Sequence, residues 1–261
     1  MSDSDQLFTL ISSKIEKKLL DMVDEHMKPF DDTGHGTDHC ITVSNHAKTA
    51  VAELNLPLQV KFAIIVAALL HDVDDHKLFS TTDNFHAKRI LKACNEQEFL
   101  LIDLIIEMID LVSCSSNGNS IVEPRWKLIP RDADRIEALG VIGIVRCYDY
   151  TILKKRPITI ADTPLPTTEE EINSLATQER MQAYIERKES LSMIDHYYDK
   201  LLHIDQLGSE NPYLSGIAKS RRQIMVDFLI EFGKTGTFDI ENYRQILRNI
   251  KEAQIFFQGR K

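Results

Sequence analysis

Glycine and proline are scarce in this chain, with 10 and 8 residues among 261. Because these residues dominate tight turns, their scarcity disfavours a turn-rich β architecture and favours long helices. Basic charge is not in excess either, since the formal net charge is −9 at neutral pH. A wide basic surface for nucleic acid is therefore not expected, and a small anionic ligand would need local clusters of Arg, Lys or a metal ion.

Cysteine is also rare, and the four cysteines form no C-x-x-C pair. Their scattered positions fit reduced thiols in a cytosolic protein better than a disulfide framework. The N-terminal residues lack the charged and then apolar pattern of a secretory signal, and no apolar run reaches the roughly 18 residues of a membrane helix. We expect a soluble, cytoplasmic protein without a membrane partner, with a nuclear location left open. The oligomeric state has no marker in the sequence.

Apolar residues recur at helical spacing along most of the chain, and no stretch shows the alternation of a confident strand. The pattern predicts an all-α fold, with residues 1–261 forming a single domain. Thr37 or Asp38 is a candidate cap for the second helix, and residues 156–170, which carry three prolines, are expected to form an exposed excursion. The other predicted helices cover residues 8–27, 57–71, 84–94, 96–112, 129–150, 171–189, 191–207, 212–232 and 240–256.

One predicted helix ends in ionisable residues, because an apolar run over residues 62–70 leads directly into His71 and Asp72. Burial of such groups is costly unless they are paired or bind a metal. A helix C-terminus also carries partial negative charge, which favours a bound cation. The sequence therefore predicts a metal site here. The alternative is a capped helix end with one satisfied histidine and a solvated acidic loop.

Two further stretches carry residues of the metal-ligand type. One is His35-x-x-x-His39, and the other contains Asp132 and Asp134. Asp134 shares an apolar helical face, so its carboxylate needs an interior partner. A histidine from one helix, the histidine–aspartate pair from a second and an aspartate from a third would form a His2Asp2 set, which suits divalent Mn, Fe, Co, Ni or Zn. Such an ion polarises a phosphoryl oxygen and lowers the pKa of its bound water.

The order of these motifs resembles the H…HD…D pattern that defines the HD-domain metal-dependent phosphohydrolases. Longer matches, spread over residues 30–232, resemble one bacterial subfamily, some members of which are nucleoside triphosphate pyrophosphohydrolases. The matching segments are GHGTDH at 34–39, ALLHDV at 68–73, DADR at 132–135, IGIVR at 142–146 and IDHYYDKLL at 194–202.

The resemblance implies that the matching residues surround one divalent metal ion. The expected ion is manganese, with Mg, Co, Ni, Fe or Zn as alternatives. Asp132 is the rival for the last ligand position, and His35 would orient the site from outside the ligand set. Asp75 would handle the attacking water, with a loop cap as its alternative role, and Lys77 would supply a point charge. The implied metal ligands are His39, His71, Asp72 and Asp134.

The resemblance also implies cationic contacts to substrate phosphates, since Arg suits bidentate phosphate recognition. A solvated face, an ion pair or helix packing is the alternative for each of these side chains. Two departures from the family stand out: Thr42 occupies a position that is often Arg, and residues 157–190 form a longer excursion than in bacterial members. The implied phosphate-binding residues are Arg135, Arg146, His196, Lys200 and Arg221.

The activity that this resemblance implies is hydrolysis of a small nucleotide, foremost a (deoxy)nucleoside triphosphate cut to the monophosphate and pyrophosphate. One alternative is a phosphomonoesterase that acts on nucleoside monophosphates. Another is a metal-binding but catalytically silent HD module used for protein interaction or regulation. An HD-fold di-iron oxygenase is disfavoured, because too few additional inward-facing histidines are found for a second iron.

Overall fold

The structure, a computed structural model, describes residues 3–33, 36–76, 78–95, 98–187 and 189–258. No β-strand occurs in these ranges, and the prediction of an all-α fold is confirmed. None of the helices in them combines the length and the apolarity that crossing a bilayer demands. The α-helices are α1 (Asp3–Met27), α2 (Thr37–Ala52), α3 (Leu58–Leu70), α4 (Phe85–Cys94), α5 (Ile102–Asp110), α6 (Cys114–Asn117), α7 (Ile129–Ile136), α8 (Gly140–Leu153), α9 (Glu169–Leu175), α10 (Gln178–Arg187), α11 (Met193–His196), α12 (Pro212–Thr235) and α13 (Ile240–Gln258).

Several predicted helix boundaries are wrong. The helix predicted over 129–150 is divided into α7 and α8, because Leu139 is extended and Gly140 has a φ of +70°, a conformation that glycine adopts without strain. The N-cap of α2 is Gly36, which makes no side-chain cap, so Thr37 and Asp38 lie inside the first turn rather than before it. The predicted 171–189 and 191–207 helices are likewise interrupted, the latter by a π-helical turn at Tyr197–Leu201.

The chain divides into two compact units. Unit 1 comprises Met1–Ser113, Ser120–Asp134 and Gly208–Leu214, and unit 2 comprises Cys114–Asn119, Arg135–Leu207 and Ser215–Lys261. In unit 1, α3 packs against α1, α2 and α5, and α4 packs against α1 and α5. The buried apolar residues of α3 form the centre of this unit, which explains why its sequence is apolar on nearly every side. The single-domain organisation stays a prediction.

In unit 2, α8 packs against α11 and α13. The predicted excursion at 156–170 is not simply exposed, because part of it packs within this unit. Thr163 is 8% exposed and its hydroxyl donates to the Asp195 carboxylate at 2.8 Å. The Pro157 carbonyl accepts from the Met193 backbone N–H at 2.9 Å. These long-range contacts fix the excursion against the start of α11.

The close approach of the excursion to α12 makes Gly233 hard to replace. A Cβ at Gly233 would lie 1.9 Å from the Pro166 carbonyl oxygen, whereas a Cβ at Gly216, in the same helix, meets nothing within 4 Å. We expect Gly233→Ala to lower the free energy of unfolding by about 1–3 kcal/mol through overpacking. The matched Gly216→Ala should instead raise it by about 0.5–1 kcal/mol, because alanine favours the helix.

Thermal unfolding of the two variants, followed by circular dichroism, checks this expectation. Opposite shifts in Tm support the described packing of residues 156–170 on unit 2. Equal, small shifts would mean that the excursion does not lie against α12.

Candidate metal centre

The C-terminus of α3 brings an imidazole and a carboxylate into the interior of unit 1. The helix ends at Leu70, and the next two residues, His71 and Asp72, are only 8% and 7% exposed. The apolar residues of α3 bury this end of the helix, and the negative end of the helix dipole adds to the field of the Asp72 carboxylate. The local structure therefore creates a buried site with a strong preference for positive charge.

The orientation of the His71 ring is set by the backbone of its own helix. Its Nδ1 lies 2.8 Å from the Ala68 carbonyl oxygen. Because a carbonyl oxygen only accepts, Nδ1 carries a proton and Nε2 points the other way. Nε2 lies 3.4 Å from Asp72 Oδ1 and 3.5 Å from Asp134 Oδ1. A backbone carbonyl that orients an imidazole in this way is typical of histidines that bind metals.

A second histidine and a second carboxylate complete the cluster. His39 lies in the first turn of α2, and its Nε2 is 3.2 Å from Asp134 Oδ1 and 3.5 Å from Asp72 Oδ2. Asp134 comes from α7. The side chains of His39, His71 and Asp72 are 7%, 0% and 10% exposed, while that of Asp134 is 31% exposed. Three helices thus bring four ligand-type groups together, with one side open.

The spacing of three of these groups, those of His39, His71 and Asp134, fits a single divalent ion. Two atoms each about 2.1 Å from a metal lie about 3.0 Å apart at a right angle and about 3.4 Å apart at a tetrahedral angle. The observed nitrogen–oxygen separations are 3.2 to 3.5 Å. One ligand atom each from His39, His71 and Asp134 lies within 4.8 Å of the others. Two ionised carboxylates and two neutral imidazoles also leave a charge that a divalent cation would neutralise.

The ionisation of the cluster follows from its mutual charges. Burial by itself lowers the pKa of His71, but the Asp72 charge and hydrogen bonding with Asp134 outweigh it, so the pKa lies well above its ordinary value. Burial raises the pKa of Asp134, yet hydrogen bonds with His39 and His71 outweigh this and hold the pKa well below its usual range. The cluster therefore keeps its carboxylate charge and requires a positive partner, either a proton or a metal ion.

Cys40 follows His39 directly but does not join the set as a thiolate. Its side chain is fully buried, and burial raises the pKa of the thiol to about 12. A cysteine ligates metals as the thiolate, so a neutral thiol at this position is a packing group.

The two candidate aspartates of α7 lie in different surroundings. Asp132 is fully buried, and its carboxylate accepts from the Ser209 backbone N–H at 2.7 Å and from the Arg131 guanidinium at 3.4 Å. Asp134 is the one that lies beside the two histidines. The geometry therefore favours Asp134 as the ligand, and the assignment itself stays a prediction.

Asp75 lies in the loop that follows α3. Its backbone N–H donates to the Asp72 carbonyl at 3.0 Å, and its carboxylate is 12% exposed and lies 3.6 Å from His76 Nδ1. Its proposed part in proton transfer stays a prediction. The predicted roles of His35 and Lys77 fall on residues outside the described ranges.

The five predicted phosphate-binding residues all belong to unit 2 and have protein contacts there. Arg135 is 2% exposed, with its guanidinium bound to the Gly118 carbonyl and, at 2.8 Å, to Asn119 Oδ1. Arg221 donates to Glu137 Oε1 at 2.7 Å, and Arg146 donates to the Glu137 carbonyl at 3.3 Å.

The remaining two candidates flank one aromatic ring. The Lys200 ammonium lies 5.6 Å from the centre of the Tyr184 ring, and the His196 ring lies 5.5 Å from it. The His196 Nδ1 is also 3.1 Å from the Ser190 hydroxyl. All five phosphate-binding roles stay predictions.

Sequence reasoning missed the residues that hold the loop between α3 and α4. The Asp74 carboxylate accepts from the backbone N–H groups of His86 at 3.0 Å and Ala87 at 2.8 Å, and so caps α4. His26, from α1, donates through Nε2 to the Val73 carbonyl at 2.9 Å. The side chain of Asn84, the N-cap of α4, makes no cap hydrogen bond, so the N–H groups of the first turn take an acceptor from elsewhere, and no local sequence signal indicated this.

Comparisons with known proteins agree with this fold. No protein-family model matches the chain. Crystal structures of three bacterial proteins are similar. An HD-superfamily hydrolase of Bacillus thuringiensis is 24% identical with a TM-score of 0.58, and the match covers 86% of this chain and 97% of that one. YpgQ of Bacillus subtilis, in complex with ADP, is 20% identical with a TM-score of 0.59 and coverages of 86% and 96%, and Lin1889 of Listeria innocua is 22% identical with a TM-score of 0.58 and coverages of 87% and 99%.

The chain therefore has the fold of the HD-superfamily hydrolase structure, and His39, His71 and Asp134 form a candidate metal cluster in unit 1. The Asp72 carboxylate lies beside this cluster, with its oxygens 3.4 and 3.5 Å from the histidine nitrogens. An uncharacterized protein, L803 of Acanthamoeba polyphaga mimivirus, is 43% identical over 225 residues, which cover 80% of this chain and 93% of L803. The chain belongs to the same family as L803.

Removal of one imidazole from the cluster should abolish tight metal binding. We expect His39→Gln to weaken Mn²⁺ affinity by at least about 100-fold, since loss of an outer partner of a ligand already costs about 10–100-fold. The matched control is His46→Gln, the same change on the same helix at a histidine that bonds the Tyr213 hydroxyl at 2.8 Å.

Isothermal titration calorimetry with Mn²⁺ measures both variants against the wild type. The Mn²⁺ affinity of His46→Gln should lie within about threefold of the wild-type affinity. This change is smaller than the loss of about 10–100-fold that follows removal of an outer partner of a metal ligand. Equal affinity of His39→Gln and His46→Gln would contradict the assignment of His39 as a ligand.

Proposed function

We propose that this protein is a divalent-metal-dependent phosphohydrolase that acts on nucleotides. The convergence of His39, His71, Asp72 and Asp134 at 3.2 to 3.5 Å carries the proposal. Four protein ligands leave positions open on an ion that prefers six, as manganese does. A metal bound there would polarise a phosphoryl oxygen and lower the pKa of a bound water.

The residues of this chain each contribute a defined part of the chemistry. The Ala68 carbonyl keeps the proton of His71 on Nδ1, so that Nε2 is available as a ligand. Asp134, the most exposed member of the set at 31%, marks the side from which a phosphate would enter. Asp75 lies in a turn closed by the hydrogen bond from its backbone N–H to the Asp72 carbonyl. Its carboxylate is proposed to accept the proton of the attacking water.

The proposed substrate is a (deoxy)nucleoside triphosphate, cleaved to the monophosphate and pyrophosphate. The order of the sequence motifs supports this choice, and the structure of B. subtilis YpgQ, a protein of similar fold, holds ADP. Arg135, Arg146, His196, Lys200 and Arg221 are proposed as contacts to the phosphates, in line with the family resemblance. Positive groups there would stabilise the charge that develops on the leaving pyrophosphate.

A product-resolved nucleotide screen tests the proposal. Purified protein with Mn²⁺ is incubated with nucleoside tri-, di- and monophosphates, and pyrophosphate and phosphate are quantified separately. We expect pyrophosphate from one or more triphosphates and no phosphate from monophosphates. Phosphate from monophosphates alone would show a phosphomonoesterase, and no product with any nucleotide would show a catalytically silent module; either result contradicts the proposal.

The part assigned to Asp75 has its own test. Asp75→Asn should lower kcat by about 100- to 10,000-fold, because a side chain that transfers protons contributes rate in that range. Its Mn²⁺ affinity should remain close to that of the wild type, since Asp75 is not a proposed ligand. Asp103→Asn, in the exposed first turn of α5, is the matched control and should keep full activity. An unchanged kcat in Asp75→Asn would contradict the assignment.

A further inference from the structure

A second concave surface lies along α4 in unit 1. It is a cleft of about 450 Å³, a size within the 300–1,000 Å³ range of small-molecule sites. None of its lining residues belongs to the metal cluster, and the metal-centre chemistry makes no use of them. We name it the α4 cleft, and it is lined by Thr82, Asp83, Phe85, Lys88, Arg89 and Lys92.

The helical spacing explains how these side chains come to one face. Phe85 and the three cationic residues follow one another at i, i+3, i+4 and i+7, which places them in one stripe along α4. The other side of the helix is buried in unit 1 through Ala87, Ile90, Leu91 and Cys94. The apolar side therefore holds α4 in place and directs the aromatic and cationic stripe outwards.

The charge of the stripe is opposite to that of the whole chain. Three cationic side chains and one carboxylate, Asp83, line the cleft, although the formal net charge of the protein is −9. In the part of the chain that the structure describes, no carboxylate lies in ion-pair range of Lys88, Arg89 or Lys92. Like charges at i and i+4 on a helix repel each other, and an anion bound between them would relieve that repulsion.

The aromatic end of the stripe is equally unusual. Phe85 is 57% exposed, at the first residue of α4. The preceding residues Asp83 and Asn84 have φ of +57° and +52°, in the left-handed region, and Thr82 and Asp83 also line the cleft. An open aromatic face beside three cations suits a ligand that carries both a flat ring and phosphate groups.

We propose that the α4 cleft binds a nucleoside di- or triphosphate at a site separate from the metal centre. The base would lie on Phe85, and the phosphates would contact Lys88, Arg89 and Lys92. The volume of the cleft, about 450 Å³, suits a small molecule. This binding does not depend on the proposed hydrolysis, because it needs neither the metal nor the catalytic residues.

Calorimetric titration of the full-length protein with ADP in EDTA tests the proposal, since the chelator removes metal from the metal centre. Wild type and His39→Gln should bind ADP equally. The double variant Lys88→Gln/Lys92→Gln should bind about tenfold more weakly or worse, through loss of charge-assisted bonds. Lys17→Gln/Lys219→Gln removes the same charge from exposed positions on α1 and α12 and should match the wild type.

Titration with pyrophosphate, which lacks the base, separates the contribution of the phosphates to binding from that of the base. Phe85→Ala should weaken ADP binding about fivefold or more through loss of stacking, and bring it to the level of pyrophosphate. Absence of ADP binding in EDTA, or its loss in His39→Gln alone, would overturn the proposal. If pyrophosphate bound as tightly as ADP and Phe85→Ala had no effect, the cleft would bind anions without recognising the base. That result would also overturn the proposal.

Discussion

The structure of unit 1 depends on two carboxylates and two imidazoles that share one largely buried corner. Asp72 and Asp134 both lie within 3.5 Å of the histidine nitrogens. Two negative charges at this depth are costly without a positive partner, since neither can be fully solvated. A divalent cation satisfies all four groups at once, whereas protonation of the histidines would balance the charge at the expense of their lone pairs. The arrangement therefore fits a candidate metal centre.

Contacts from the surrounding helices hold His71 and Asp72 in position. The apolar α3 provides the burial, and its Ala68 carbonyl sets the His71 ring. The loop that follows is held from two directions, by Asp74 on the first turn of α4 and by His26 of α1 on the Val73 carbonyl. Because these contacts join the loop to α1 and α4, the position of the Asp72 carboxylate depends on the packing of the whole unit rather than on α3 alone.

The all-α fold class and the buried end of α3 were accessible from the sequence because they depend on local signals, whereas the ligand set that joins His39, His71, Asp72 and Asp134 came from the family resemblance and stays a prediction. Helical periodicity is a property of neighbouring residues, and the apolar run before His71 shows that the helix end is buried. The break between α7 and α8 was not predicted, because the extended backbone at Leu139 competes with a helical pattern that continues on both sides. The cap of α4 by Asp74 and the packing of Thr163 on Asp195 were not predictable either, since each joins residues far apart in sequence.

The similarity in fold to the HD-superfamily hydrolase of B. thuringiensis covers 86% of the chain, but the proposed chemistry rests on the cluster itself. Anomalous X-ray diffraction from crystals grown with Mn²⁺, measured at the manganese absorption edge, tests that cluster most directly. We expect one strong anomalous peak about 2.0–2.3 Å from His39 Nε2, His71 Nε2 and carboxylate oxygens of Asp72 and Asp134. A peak elsewhere, or none, with the histidines bonded directly to the carboxylates, would contradict it.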